Sequence, residues 1–196
     1  KKRLLDVLII GSGMNGLSAA FALKKLGINN IKIVDKNPPG MSGPWKNTAR
    51  MNYLRSPKQL VGPAQNFPNL TFRSWWEATH ERDNWNSFEY IERITWSNYL
   101  IWFSKIIGTE IDNLTNVKNI LPPNQIGKND TDYLKIKIEV CENNKIINKI
   151  IFCRQLILAT GREGLGKPRI PKFFNFFYKK SVYHSSDIIN FKLFKN

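Results

Sequence analysis

The sequence predicts an α/β protein: a doubly wound parallel sheet with a small antiparallel β-meander and a helical insertion. Three observations predict it. An apolar run, a glycine-rich turn and a helix-like stretch follow one another from Leu4 to Leu26. A second β-branched run, Ile31-Lys32-Ile33-Val34, ends on an acid, Asp35, roughly 20 residues past the glycines. A late apolar run, Gln155 to Gly161, is continuous, as in a strand buried on both faces.

The opening strand reads Leu5-Asp6-Val7-Leu8-Ile9-Ile10 and runs into Gly11-Ser12-Gly13-Met14-Asn15-Gly16. Gly11 permits a tight exit from the strand. Gly13 has no side chain, so a pyrophosphate can approach the backbone. Gly16 lets the helix pack closely on the strand. Free N–H groups at the helix start then face the phosphates, and the helix dipole favours their charge. The helix-like stretch Leu17 to Leu26 stops at Gly27. Asp35 is expected at the C-terminal end of the second strand, accepting hydrogen bonds from an adenosine ribose. Strand, turn, helix, strand and acid in this order point to a dinucleotide site.

The loop Lys36 to Trp45, rich in proline and glycine, leaves the sheet edge where ligands bind. Lys36 is a candidate phosphate or ribose contact, or a solvated charge. Trp45 is a candidate for stacking near a flat ring, or a packing anchor. Thr48 to Phe67 reads as an ordered excursion in which Met51, Tyr53, Leu54 and Leu60 need burial. Arg50 and Arg55 are candidate anion contacts or surface charges.

The helical insertion spans about 70–108. Arg73 to His80 is its first helical piece. A polar break, Glu81 to Asn86, precedes a short turn from Ser87 to Ile91. Thr95 is expected to cap an amphipathic helix carrying Trp96, Tyr99, Leu100, Phe103, Ile106 and Ile107 on one face, ended by Gly108. This aromatic stripe is either core or a wall for substrate or flavin.

From about 114 to 152 the period changes to two. Leu114 to Leu121, Tyr133 to Val140 and Lys145 to Phe152 read as a meander, with Asn143-Asn144 as a turn. The separate strand at 155–161 ends in small residues. Ala159 and Gly161 permit close approach of a ligand, and Thr160 offers a hydroxyl. Pro168 and Pro171 break the chain afterwards, and the tail from Phe173 to Asn196 is aromatic and basic. Residues 1–196 are expected to form one domain of Rossmann-like organisation.

Composition narrows the function classes. At 196 residues and 42% hydrophobic the chain can bury a real core. No apolar run approaches the ~20 residues that span a bilayer, so no membrane partner is expected. The first strand begins almost at residue one, leaving no room for a leader. A cytoplasmic location is the default. Cys141 and Cys153 lack metal or redox spacing, and His80 and His184 are isolated, so no metal is expected. The formal charge is +15, but the lysines are scattered, which reads as a solvated surface. No nucleic-acid partner is expected. A positive field does attract phosphate-bearing cofactors.

Taken together, the glycine turn, Asp35, Gly40-x-x-Gly43-Pro44-Trp45 and Ala159-Thr160-Gly161 resemble the two-dinucleotide-binding-domain flavoproteins. Ala49-Arg50-Met51, Leu54-Arg55-Ser56-Pro57-Lys58, Gly62-Pro63, Phe72-Arg73-Ser74-Trp75 and Trp96-x-x-Tyr99-Leu100-x-Trp102 narrow the resemblance. They look like a bacterial group of FAD-dependent, NAD(P)H-using oxidoreductases related to the flavin monooxygenases. The resemblance implies that Gly11, Gly13, Met14, Asn15 and Gly16 hold the FAD pyrophosphate. Asp35 would bind the adenosine ribose with Lys36 beside it, and Trp45 would lie near the isoalloxazine. Val117 would present its backbone to adenine, and Ala159, Thr160 and Gly161 would pass close to the pyrophosphate. In such enzymes NADPH reduces the flavin, which then activates oxygen toward a small-molecule substrate.

Two departures shape the expectation. Such enzymes carry a second G-x-G-x-x-G for NADPH, and this chain has one. Gly161-x-x-Gly164-x-Gly166 has the wrong spacing to replace it. The chain stops about where the strand before that second motif is expected. NADPH or NADH would then act only if a partner chain supplies the missing domain. Second, the monooxygenase fingerprint F-x-G-x-x-x-H is not kept before His184. Tyr178 stands in place of its phenylalanine and Lys180 in place of its glycine. The implied function is the FAD-binding part of an NAD(P)H-dependent oxidoreductase of monooxygenase type, or an inactive flavin-binding remnant. A plain NAD domain would continue with alternating strands and helices instead of a meander.

Overall fold

The computed structural model describes residues 3–80, 82–123, 132–162, 169–187 and 189–194. Gly164, Gly166, Pro168 and Glu81, singled out above, lie outside the described residues. So do the last two residues of the aromatic tail.

Strand β1 (Leu4–Ile10) enters helix α1 (Met14–Lys25) through the glycine turn. β2 (Ile31–Val34) lies parallel to β1. β3 (Tyr53–Pro57) and β4 (Tyr90–Glu92) form a separate two-stranded antiparallel ribbon around helix α2 (Phe72–Thr79). Helix α3 (Arg93–Ile106) leads to β5 (Ile111–Asp112), which joins the edge of β2. β6 (Thr115–Leu121), β7 (Leu134–Glu142) and β8 (Lys145–Leu158) complete a six-stranded sheet of order β5-β2-β1-β8-β7-β6. Its first four strands run parallel, and β6 and β7 are antiparallel.

The meander and the strand expected at 155–161 are one continuous piece. β8 pairs with β7 from Lys145 to Cys153 and with β1 from Phe152 to Leu158. No proline, glycine or turn residue interrupts it between Lys149 and Leu158. Its hydrophobic period changes because its neighbour changes. The early half protrudes beyond β1 and is exposed; the later half pairs with β1 but is not buried on both faces as expected, since β7 no longer flanks it, Leu156 and Ile157 are half-buried and Leu158 is 53% exposed. At Asn143 and Asn144 the φ angles are 50° and 60°, the left-handed pair of a tight hairpin turn.

Two clusters hold the sheet. In one, Val7, Ile9 and Ile33 meet Leu17 and Phe21 of α1 and Tyr99 and Phe103 of α3. In the other, Leu5, Leu8 and Val34 meet Ile136, Ile138 and Cys153 of the meander strands. The aromatic stripe of α3 is core: Trp96, Tyr99, Leu100 and Phe103 are buried, and Phe72 and Trp75 close over them. Tyr99 donates from its hydroxyl to the Leu70 carbonyl at 2.8 Å, and burial pushes its pKa upward.

Three local expectations are corrected. Helix α3 starts at Arg93, with Glu92 at the cap position rather than Thr95. β4 feeds straight into the helix, and the Arg93 amide and guanidinium are taken by carbonyls of Asn52, Met51 and Trp45. Thr95 instead donates to the Glu92 carboxylate at 2.9 Å. Tyr53 is 59% and Leu60 63% exposed, not buried. The β3–β4 ribbon stands off the main sheet, so its outer side has no cover. The polar break is a 3-10 turn, Arg82–Ser87, and in place of a short turn to Ile91 the chain enters strand β4 at Tyr90.

Candidate nucleotide site

Gly11 leaves β1 at φ +105° with the turn's backbone against Ala159: a Cβ at Gly11 would stand 2.3 Å from the Ala159 carbonyl oxygen. At Gly16 it would stand 1.9 Å from the Gly11 carbonyl oxygen. The chain's own packing therefore explains both glycines. Gly13 is different. Its φ is −69°, open to any residue, and a Cβ there would meet only Gly43, at 3.6 Å or more. Nothing within the fold demands glycine at this point.

Gly13 is also the cap residue of α1. Its residue type offers no side-chain acceptor, and the first turn, with Met14 and Asn15, carries no acid. The helix thus begins with amide donors that no side-chain cap satisfies and a positive dipole end. Both favour a bound anion.

Asp35 sits directly beneath this turn and is only 6% exposed. Its Oδ2 accepts from the Ser12 amide and the Ser12 hydroxyl, both at 2.7 Å. Its Oδ1 accepts from the Asn37 amide at 2.8 Å. A carboxylate has about four acceptor positions, so one on Oδ1 is unused among the described residues. The Ser12 hydroxyl also meets the Ser42 hydroxyl at 2.6 Å, which latches the 36–45 loop onto the glycine turn. Ser12, Asn37 and Ser42 are the residues that sequence reasoning missed. Asp35-x-Asn37 carries the signal of an aspartate bonding its own backbone two residues on.

Through that latch Gly43 reaches Gly13, and Trp45 follows. The Trp45 ring stands edge-on to Trp96, with centroids 6.3 Å apart. Its Nε1 is buried and has no hydrogen-bond partner among the described residues. The ring lies beside Gly43, where a Cβ would come within 3.0 Å of that nitrogen. Lys36 is exposed next to Asp35.

The remaining candidates arrive from the sheet. The Ala159 amide bonds the Ile10 carbonyl at 2.8 Å, which sets Ala159 against the turn, and Thr160 and Gly161 continue from it. Gly161 has φ +72°, and a Cβ there would meet none of the described residues within 4 Å. Val117 comes close because the curled meander returns to β2: the Thr115 amide bonds the Asp35 carbonyl at 2.9 Å. Val117 lies two residues further, roughly 7 Å along the strand, beside a bulge between Val117 and Asn119. Arg50 turns toward the tail. Its guanidinium donates to the Asp187 carbonyl at 2.7 Å and tethers the tail. His80 is stacked on Trp76 at 3.7 Å.

An uncapped helix start, a glycine the fold does not require and an orphaned indole N–H fit a phosphate-bearing nucleotide. Comparison with known proteins agrees. A family described as FAD-NAD(P)-binding matches residues 8–162. The FAD-dependent urate hydroxylase of Xanthomonas campestris pv. campestris is 36% identical over 168 residues, covering 86% of this chain and 33% of that protein. The chain therefore spans about a third of that relative's length. Among solved structures, reduced ornithine hydroxylase (PvdA) of Pseudomonas aeruginosa aligns with a TM-score of 0.71 at 19% identity, over 91% of this chain and 43% of that one. FAD-bound DfoA of Erwinia amylovora, a cadaverine monooxygenase, gives 0.72 at 15% identity, over 94% and 41%. At these identities the structures share the fold.

Proposed function

The chain belongs to the FAD-NAD(P)-binding family, and from that we propose that it is the FAD-binding part of an NAD(P)H-dependent flavoprotein oxidoreductase of monooxygenase type. The single observation that carries the FAD reading is Gly13. It is the one glycine of the turn whose missing side chain the protein does not need, and it stands at an uncapped helix start. The similarity to a FAD-dependent urate hydroxylase supports the reaction class.

In this reading the first-turn amides of Met14, Asn15 and Gly16 bind the pyrophosphate, and Gly13 lets it approach. Asp35 holds the turn in place through Ser12 and offers its remaining Oδ1 position to the ribose, with Lys36 at the rim. The Val117 backbone meets the adenine. The Trp45 indole N–H supplies a donor on the flavin side, and Ala159, Thr160 and Gly161 close the sheet side. Bound flavin supplies the redox chemistry. The substrate is a small molecule, and the nicotinamide nucleotide binds on residues beyond these 196, in the same polypeptide or on a partner chain. The cytoplasm is the setting.

The test is reconstitution. Purified chain refolded with excess FAD should turn yellow, quench flavin fluorescence and melt at a higher temperature than the apoprotein. Protein that stays colourless and gains no stability would overturn the reading. A second reading is a flavin-binding remnant without turnover. It predicts bound FAD but no FAD-dependent NADPH consumption, even with the rest of a relative's enzyme supplied in trans.

A further inference from the structure

The hydroxyls of Ser12 and Ser42 form a relay whose direction is fixed by the acid beneath it. A carboxylate accepts and does not donate. Oδ2 of Asp35 takes the Ser12 hydroxyl at 2.7 Å, so the one proton of that hydroxyl is spent. The 2.6 Å contact between the two hydroxyls must then run from Ser42 to Ser12. Hydrogen bonds strung onto a charged acceptor polarise one another, which makes this contact stronger than one between two lone hydroxyls. Ser42 is thus tied, through Ser12, to the acid that holds the glycine turn.

Little else fixes the middle of the 36–45 loop. Among the described residues, Pro39, Gly40 and Ser42 border a cavity of about 170 Å³ that separates them from Leu17 of α1 and from Leu100 and Ile101 of α3. Among those residues Ser42 makes no hydrogen bond except the one to Ser12. Trp45 is fastened from the far side, where the Arg93 guanidinium donates to its carbonyl. These two anchors bracket Gly43 and hold it beside Gly13. The Trp45 ring folds back over Gly43, where a Cβ would stand 3.0 Å from its Nε1. The place of Gly43 therefore decides where that indole N–H, unpartnered among the described residues, points.

We propose that Ser42 is the positioning residue of the flavin end: its hydroxyl, donating through Ser12 to Asp35, fixes Gly43 and with it the direction of the Trp45 indole N–H. The inference rests on the reading of the turn as a FAD site with Trp45 on the flavin side. The acid at the ribose end and the donor at the flavin end are then one unit, joined by two serine hydroxyls. A nucleotide that ends at its second phosphate has nothing for Trp45 to meet, so the relay adds nothing to its binding. A nucleotide that carries a ring system beyond the diphosphate gains from it. Ser42 acts through Gly43 and Trp45 and touches no reacting atom.

The experiment compares two ligands on the full chain: FAD, and ADP, which carries the adenosine and the diphosphate but no flavin. Ser42→Ala removes about one hydrogen bond from the loop, so FAD affinity should fall roughly fivefold to tenfold while ADP affinity stays within about twofold. The retained ADP binding also shows that the variant is folded. Flavin bound to Ser42→Ala should fluoresce more than flavin bound to the parent, because the Trp45 ring is no longer held in one place. Ser42→Thr keeps the donor and should restore both the affinity and the quenching. Ser42→Ala added to Trp45→Phe should cost no further FAD affinity, since the two residues act as one unit. Equal losses of FAD and ADP in Ser42→Ala overturn the proposal, because Ser42 then serves the turn alone. Additive losses in the double variant overturn it too. A parent that binds FAD beside a Ser42→Ala variant that binds it equally well overturns this inference only, whereas a parent that binds no FAD overturns the FAD reading and this inference with it.

Discussion

The glycine-turn end of the parallel strands and the antiparallel half of the same sheet use the chain in opposite ways. In the meander, side chains alternate between Ile136 and Ile138 inside and Lys137 and Glu139 toward water. Side-chain burial alone accounts for those identities. At the turn, side chains are removed instead. Gly11 and Gly16 are absent side chains forced by neighbouring carbonyls, and Asp35 is a buried acid spent on the backbone beneath them. The difference teaches how to find a ligand site: explain every residue from the fold, then ask which one is left over. At the turn that residue is Gly13.

The comparison breaks most sharply at Gly16. Gly16→Ala would place a methyl 1.9 Å from the Gly11 carbonyl oxygen. We expect a loss of roughly 4 kcal/mol or more, seen as a collapse of the urea midpoint. A normal midpoint would mean that α1 packs less closely on β1. Asp35→Ala should come next. It strands the Ser12 and Asn37 amides and leaves the Ser12 hydroxyl only its Ser42 partner, at a cost of about 3 kcal/mol. Denaturant titration without FAD separates this structural loss from any effect on the nucleotide. If stability is unchanged, the carboxylate serves the ligand alone.

Acid should have a smaller effect, spread along the β2–β5 edge. Glu110 is held below its ordinary pKa, mainly by its hydrogen bond to Lys32, with Arg3 adding to it. Burial alone would lower the pKa of Lys32, but its bonds to Glu110 and Asp112 together raise it. For Glu110 the folded value is the lower one, so its stabilisation is present above the usual 4.5 and is lost as pH falls through the folded value. The melting temperature should therefore decline below about pH 4.5, and Glu110→Gln should flatten that decline. For Lys32 the sign is reversed: its contribution holds below the usual 10.5 and fades as pH rises through the raised value. Since Glu110 is largely exposed, salt should weaken the acid effect.

Much of this was legible in the residues because it is local. Strand, glycine turn, helix, strand and acid follow one another within 32 positions of a single stretch, Leu4 to Asp35. The Asn143-Asn144 hairpin declares itself in two residues. What was not legible depends on distant neighbours. β8 looked like two strands because its hydrophobic period follows its partners, β7 and then β1. Thr95 lost the cap of α3 because Arg93 is claimed by carbonyls more than 40 positions away. The sequence points Asp35 toward a ribose but does not announce Ser12, 23 positions earlier, whose amide and hydroxyl both donate to its Oδ2. No local pattern announces such a long-range bond.

One substitution tests the central claim most directly. Gly13→Ala adds a methyl that the fold can hold at ordinary contact distance from Gly43. Its stability should stay within about 1 kcal/mol of the parent, while FAD affinity, read by flavin fluorescence titration, should fall roughly a hundredfold, near 2.7 kcal/mol. A variant that folds as well and binds FAD equally tightly would contradict the claim that a diphosphate lies against this turn.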